Sequence, residues 1–154
     1  MKIAIVKLSA LGDIVHAMIV LQFIKKYNQK IDIDWIVEEN YKELLEFHPD
    51  IKEVHVVNLK KAKKKKSLFM LLNELRRIRK LGPYDLVIDM QGLIKSAIIS
   101  RLISSPATLG FDKFSIRENL ASIFYNQIFN YGYDENVIER NVALMSFALG
   151  LNVS

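Results

Sequence analysis

Short apolar runs alternate with longer amphipathic segments along the whole chain, and this alternation constrains the fold more than any other feature. Runs such as residues 3–6 are continuously apolar, which is typical of strands that are covered on both faces. Segments such as residues 13–27 repeat apolar residues at intervals of three and four, which is typical of helices. The alternation predicts an α/β fold, in which a parallel sheet carries helices on both faces.

The boundaries of the predicted elements follow from the periodicity and from helix-breaking residues. The predicted strands cover residues 3–6, 31–37, 53–59, 84–90, 108–111 and 127–131. The predicted helices cover residues 13–27, 39–47, 68–81, 92–103, 117–124 and 137–149. Pro49, Gly82-Pro83 and Gly150 are expected to end the helices that precede them. There is no internal repeat and no linker, so residues 1–154 are expected to form a single domain.

The composition is that of a globular protein, since 51% of the residues are hydrophobic and 25% are charged. The chain has no cysteine, which excludes disulfides and thiolate metal sites and fits a reducing compartment. His16, His48 and His55 show no metal-ligand spacing, so no metal is expected. Lys7 and Asp13 interrupt what would be a signal peptide, and no apolar run reaches the roughly 18 residues of a membrane span. We therefore expect a cytoplasmic location.

Polar residues follow the predicted strands, where the ligands of open α/β sheets bind. In chain order these are Asp13, the lysine run at residues 60–66, Gln91-Gly92, Arg117 and Arg140. Strand-to-helix placement alone brings them to one edge of the sheet. What is informative is that they are mostly basic around a single acid.

Asp13 has two interpretations that the local sequence leaves open. An aspartate in the first residues of a helix commonly caps backbone amides, and position alone favours this interpretation. Against it, Ser9 is available as an alternative cap, and Gly12 permits close backbone approach. His16 lies one turn further on, where it is either an orienting partner of the carboxylate or an ordinary half-buried histidine.

The lysine run places six lysines in seven positions of a chain whose net charge is +5. It is interpreted as a loop that is either merely solvated or binds phosphates or an anionic membrane surface. Nucleic-acid binding is less well supported, because the run lacks arginine for base readout and aromatic residues for stacking.

The turn at residues 89–96 contains a glycine and Lys95 ahead of a predicted helix, an arrangement that attracts anions. It matches neither the P-loop nor the dinucleotide-binding fingerprint. Arg117 and Arg140 have a plain alternative as surface ion-pair partners of Glu118 and Glu139.

Five segments, taken together and in order, resemble the lipopolysaccharide heptosyltransferases. They are IVKLSALGDIVHA, DIDWIVEE, YDLVIDMQGLIKSA, RENLASIFYN and VIERNVALMSFALG, and they are most similar to the heptosyltransferase I type of inner-core assembly. The resemblance implies the N-terminal, Rossmann-like half of a GT-B glycosyltransferase, with a doubly wound parallel sheet of about six strands. The second half, which holds most of the sugar-nucleotide in this family, is expected to be absent from this chain, and the fragment alone is expected to be inactive.

The resemblance also implies a reaction and a set of site residues. The reaction is inverting transfer of heptose from ADP-heptose to Kdo of Kdo-lipid A at the inner face of the bacterial inner membrane. It needs no metal and no cofactor beyond the sugar-nucleotide substrate. Asp13 matches the catalytic base, which reverses the preference for a helix cap. The residues that match acceptor-binding positions are Lys60, Lys61, Lys63, Lys64, Arg117 and Arg140. The residues expected on loops lining the cleft are Ser9, Leu11, Gly12, His16, Gln91, Gly92 and Lys95.

Two alternatives from other classes stay open at this point. The first is a non-catalytic α/β module that binds an anionic membrane surface or a phosphorylated ligand. The second and weaker alternative is a nucleic-acid-binding protein, which would show a steep dependence of binding on salt.

Overall fold

The computed structural model describes residues 1–153, with side chains through residue 150, and its centre is a six-stranded parallel sheet. The strands are β1 (Lys2–Val6), β2 (Asp32–Glu38), β3 (Glu53–Val57), β4 (Leu86–Asp89), β5 (Thr108–Phe111) and β6 (Gln127–Phe129). Their spatial order is β3-β2-β1-β4-β5-β6, and every neighbouring pair is parallel. The predicted α/β class and strand number are confirmed.

Seven α-helices and two 3-10 segments connect the strands in the described part of the chain. The helices are α1 (Leu11–Ala17), α2 (Ile19–Tyr27), α3 (Lys42–Leu45), α4 (Leu59–Lys64), α5 (Leu68–Arg79), α6 (Ile94–Leu102) and α7 (Val137–Val153). The 3-10 segments are Glu39–Tyr41 and Asn119–Phe124, so the helices predicted over residues 39–47 and 117–124 are shorter and tighter than expected.

The core has two layers, one on each face of the sheet. Alternate residues of β1 point to opposite faces, so that Ile3 and Ile5 join one cluster while Ala4 and Val6 join the other. The first cluster includes residues of α1, α2 and α7, and the second includes residues of α5 and α6. This arrangement explains why the central strands read as continuous apolar runs.

The strand order reverses between β1 and β4, at the centre of the sheet. Val6 of β1 pairs with Ile36 of β2 on one side and with Asp89 of β4 on the other. The chain therefore winds outward from β1 through β3, returns to the centre, and winds outward again through β6. Loops that follow the two central strands diverge and leave a crevice at such a switch point.

The first and last predicted helices also differ from the structure. The helix predicted over residues 13–27 starts at Leu11 and is divided at Met18, where Leu21 N–H donates to Met18 O at 3.1 Å. This three-residue spacing is a tightened, 3-10-type turn. The last helix does not end at Gly150 but continues through it to Val153, because an isolated glycine costs only about 1 kcal/mol in a helix.

The lysine run is not the loop that was predicted, because residues Leu59–Lys64 form α4. Lysine is a good helix former, and α4 points its lysines outward while Ala62 is buried on the inner side. The helix ends before Ser67, whose hydroxyl accepts the Met70 N–H at 3.2 Å and caps α5.

None of the helices in the described part of the chain is both long enough and apolar enough to cross a membrane.

Candidate functional site

A cavity of about 330 Å³ opens at the switch point, along the carboxyl ends of the strands. The loops after β1, β4, β5 and β6 and the first turns of α1 and α7 supply its walls. Its charged lining residues are one acid, Asp13, and three cations, Lys7, Arg117 and Arg140. The cavity is therefore cationic overall, which favours anionic ligands, and it contains one carboxylate.

Asp13 does not cap its helix. Helix α1 begins one residue after Ala10, which makes no side-chain capping bond, and the first helical hydrogen bond runs from Ile14 N–H to Ala10 O at 2.9 Å. Asp13 instead sits exposed in the first turn of α1, where it lines the cavity. The carboxylate is therefore available to a ligand in the cavity.

Lys7 brings the first positive charge into the cavity, directly after the last residue of β1. Its ammonium lies 3.4 Å from Met90 O, to which it donates. Burial lowers the pKa of Lys7, and the nearby Arg140 lowers it further, while Asp13 and Asp89 oppose this shift. The lysine is thus electrostatically coupled to both the acid and a second cation of the site.

Gln91 joins the loops that follow the two central strands. Its side-chain oxygen accepts the Leu8 N–H at 3.2 Å and the Ser9 N–H at 3.4 Å. The next residue, Gly92, has a φ of +74°, and a Cβ there would lie 2.9 Å from Ile116 Cγ2. A side chain at position 92 would be strained in backbone and crowded in space, so the turn requires glycine.

Asp89 underlies this turn as a fully buried carboxylate. It accepts hydrogen bonds from the Gln91 and Gly92 amides at 2.9 and 3.2 Å, from Ser96 Oγ at 2.9 Å and from the Tyr125 hydroxyl. Burial raises the pKa of Asp89, and these hydrogen bonds act in the opposite direction. The residue holds the shape of the Gln91-Gly92 turn and has no surface of its own in the cavity.

Arg140 is held by two aromatic rings and two carbonyl groups. Its guanidinium lies 4.6 Å from the Phe111 ring centre and 5.4 Å from that of Tyr133. It donates to Tyr133 O at 3.3 Å and to Ser115 O. Burial lowers the pKa of Arg140, although an arginine stays protonated at any relevant pH.

Neither arginine follows the plain alternative of a surface ion pair. Within residues 1–150, Arg117 and Arg140 make no ion pair with a carboxylate. Glu118 instead accepts the Ile94 N–H at 2.8 Å and so caps α6. Arg117 is exposed at the cavity wall.

The predicted site residues fall into three groups. Those that line the cavity are Asp13, Gln91, Gly92, Arg117 and Arg140. Those that lie on the neighbouring loop and first turns of α1, outside the lining, are Ser9, Leu11, Gly12 and His16. His16 is exposed, and Gly12 has open space where a Cβ would be.

The third group is the basic set on α4 and α6, which lies apart from the cavity lining. Lys60 forms an ion pair with Glu38 at 2.8 Å, and Lys95 donates a hydrogen bond to the other oxygen of the same carboxylate at 3.0 Å. Lys61, Lys63 and Lys64 are exposed on α4. Lys60 and Lys95 are thus tied to a buried acid, whereas the charges of the other three face solvent.

Sequence reasoning missed Lys7, Tyr133 and Asn141, all of which line the cavity. Lys7 carried a signal, since it is a single charge at the carboxyl end of a predicted buried strand. Asn141 gave no such signal. It is 5% exposed, and its side-chain nitrogen lacks a hydrogen-bond partner among the described residues.

A separate polar cluster lies toward the amino ends of the strands. Ligand atoms of Asp34, Glu53 and His55 come within 4.8 Å of one another, a grouping of metal-ligand types that the spacing of the histidines had not predicted. The Asp34 carboxylate is occupied by protein partners, because Tyr84 donates to it at 2.6 Å and His55 lies 3.1 Å away. This cluster shares no residue with the cavity.

Comparison with known proteins identifies relatives over nearly the whole chain. Lipopolysaccharide heptosyltransferase 1 of Campylobacter coli is 48% identical over 97% of this chain and 42% of its own length. The protein of the same name from Escherichia coli K12 is 31% identical over 97% of this chain and 48% of its own length. The chain spans less than half the length of these relatives.

Solved structures give the same answer for the fold. The E. coli heptosyltransferase WaaC with ADP superposes with a TM-score of 0.88 at 32% identity, over 97% of this chain and 48% of that one. WaaC with ADP-2-deoxy-2-fluoro heptose superposes with a TM-score of 0.89. The profile described as Glycosyltransferase family 9 (heptosyltransferase) matches residues 72–154. This match covers more than half of the chain, and the parallel sheet agrees with it. The chain therefore belongs to glycosyltransferase family 9, the heptosyltransferases.

Proposed function

We propose that this chain is the N-terminal, acceptor-binding half of an inverting heptosyltransferase. The enzyme moves heptose from ADP-heptose to a Kdo sugar of Kdo-lipid A, at the cytoplasmic face of the inner membrane. The names of the relatives support the reaction, and one of the similar structures was solved with an ADP-heptose analogue.

The observation that carries the proposal is the composition of the cavity. Its charged lining residues are Lys7, Arg117, Arg140 and a single carboxylate, Asp13, which does not cap its helix. The Kdo carboxylates and lipid A phosphates of the acceptor are anionic, so cations are needed to hold them. A carboxylate would repel such a ligand, and its presence among the cations is therefore best explained by a chemical role.

Asp13 acts in this proposal as the general base. Transfer with inversion requires the acceptor hydroxyl to lose its proton while it attacks an oxocarbenium-like carbon, as in related glycoside chemistry. A positioned base contributes typically ~10²–10⁴-fold to such a step. Lys7 and the two arginines bind and orient the anionic acceptor, and Gln91 positions the loop before α1.

We assign the donor mainly to the part of these relatives that lies outside the matched region. Support comes from the lengths, because the chain spans only 42% of the C. coli relative and 48% of WaaC. ADP-heptose is a substrate, and the proposal needs no metal or other cofactor.

The test is Asp13→Asn in the two-domain enzyme, assayed with a soluble, deacylated acceptor. The amide keeps the shape of the side chain and cannot accept the proton, so turnover is expected to fall by ~10²-fold or more. Acceptor affinity, measured by calorimetry, is expected to change little.

The matched control is Asp32→Asn. Asp32 forms an exposed ion pair with Lys52 at the opposite edge of the sheet, and such pairs contribute little to stability. Near-normal turnover of Asp13→Asn would remove Asp13 from the reaction.

A further inference from the structure

A second concave surface, the α4–α5 groove, lies on the helices that follow β3 and shares no residue with the cavity. Its volume is about 670 Å³, which is within the size range of lipid and small-molecule sites. Its apolar walls are formed by Leu59, Leu68, Leu71, Leu75, Ile98 and Ile99. The groove is thus an apolar site on the surface of a chain whose core is already complete on both sheet faces.

Lysines surround this apolar surface. Lys63, Lys66 and Lys95 line the groove, and Lys64 and Lys65 lie beside it. Glu38 neutralises Lys95, whereas the other four make no ion pair with a carboxylate within residues 1–150. An occupant therefore meets an apolar floor and a cationic rim.

Two exposed apolar side chains begin α5, Leu68 on the groove wall and Phe69 directly after it. Leu68 is 69% exposed and Phe69 is 73% exposed, although both belong to the first turn of α5. Contiguous apolar side chains beside a groove mark an interaction surface. Because these side chains stand out from the surface, they suit a deformable apolar layer.

We propose that the α4–α5 groove takes an acyl chain of an anionic phospholipid and docks the protein on a membrane. The lysines contact lipid phosphates, and the groove receives one acyl chain. Leu68 and Phe69 insert among the acyl chains of the neighbouring lipids. Combined apolar burial and contact with anionic headgroups is how interfacial helices bind bilayers. The inference deepens the proposed function, on which it rests for the presence of a membrane.

Charge decides against a second copy as the occupant. A twofold contact between two such grooves would bring the lysines of both copies together, and the residues that line the groove include no carboxylate to offset them. An anionic lipid offsets the lysines and fills the apolar floor at the same time.

The test uses vesicles without acceptor or donor, so that it is independent of catalysis. The 154-residue chain carrying Leu68→Trp is titrated with phosphatidylglycerol vesicles whose acyl chains are brominated. The matched control is Phe47→Trp. Phe47 is 88% exposed and precedes β3, whereas α4 and α5 follow that strand. The native Trp35 is fully buried and donates to Lys7 O at 3.0 Å, so it gives a constant background.

Strong quenching of Leu68→Trp is expected, with none for Phe47→Trp and none with phosphatidylcholine alone. Adding Lys65→Gln and Lys66→Gln is expected to weaken partitioning onto the vesicles by roughly thirtyfold at low salt. This figure follows because each lysine contributes about 1 kcal/mol near an anionic surface.

Three results would overturn the inference. They are absence of binding, binding without quenching at Leu68→Trp, and concentration-dependent dimerisation that Leu68→Gln abolishes. If vesicles do not bind while the two-domain enzyme still glycosylates a deacylated acceptor, only this inference fails.

Discussion

Arg140 combines contacts that no other residue type can make together. Its planar guanidinium stacks on Phe111 and Tyr133 while it donates to the carbonyls of Ser115 and Tyr133. These contacts hold the side chain in the cavity wall before any ligand arrives. A cation that is oriented in advance loses little entropy when it binds an anion.

Arg140→Lys tests whether this geometry matters beyond the charge. Lysine keeps the charge but can neither stack on the rings nor donate several hydrogen bonds in the fixed geometry of a guanidinium. The acceptor KM is therefore expected to rise about tenfold with a smaller change in kcat. Steady-state kinetics of the two-domain enzyme measure both constants. Arg101→Lys, at an exposed position near the end of α6, is the matched control. Equal KM values for the two variants would mean that Arg140 supplies charge only.

Glu38 links two helices at the carboxyl edge of the sheet. Glu38 is the last residue of β2, and its buried carboxylate forms ion pairs with Lys60 of α4 and Lys95 of α6. Burial disfavours the ionised form, but the two lysines outweigh burial, and the pKa of Glu38 is lowered. The short lysine-rich α4 thus has an electrostatic anchor in addition to the buried Ala62.

Glu38→Gln is expected to loosen α4. The amide cannot balance two ammonium groups, so about 1–2 kcal/mol of stability should be lost. Amide hydrogen exchange should accelerate over residues 59–66 and stay near the wild-type rate in α2. Glu43→Gln, exposed on α3, is the control. Unchanged exchange in α4 would show that apolar contacts alone hold this helix.

The stability of the whole molecule depends on buried and partly buried carboxylates. Burial raises the pKa of Asp34, but hydrogen bonds from His55 and Tyr84 outweigh it, so the net pKa is lowered. The pKa values of Glu38 and Asp112 are lowered as well, whereas that of Asp89 is raised. A lowered pKa stabilises the folded state above the unfolded value, and this contribution disappears as pH falls through the folded value.

The free energy of unfolding is therefore expected to decline as pH drops below about 4, where the carboxyl groups of an unfolded chain titrate. Asp89 has the opposite sign, because its raised pKa makes the fold gain stability as pH falls toward the unfolded carboxyl value. This gain lies above about pH 4 and is complete before the decline begins. Urea titrations across this range measure the slope. Asp34→Asn should flatten the curve relative to Asp134→Asn, an exposed control. Parallel curves for the two variants would exclude Asp34 as a source of the acid sensitivity.

Local patterns in the sequence were sufficient to predict the alternation of strands and helices, the parallel sheet and the edge of the sheet on which the polar residues lie. Periodicity is a local property, and short connections between alternating elements leave few topologies. The chemistry of Asp13 stayed open at that level, because position in a helix is compatible with both a cap and a base.

Features that depend on contacts between distant residues became visible only in the folded protein. The amides after β1 are held by Gln91, far along the chain, and Lys60 is held by Glu38. The lysine run was predicted as a loop because its charges repel, yet Glu38 and the burial of Ala62 favour a helix. Only packing across the sheet brings Lys7, Asp13 and Arg140 to one cavity, since no local pattern encodes which loops face one another.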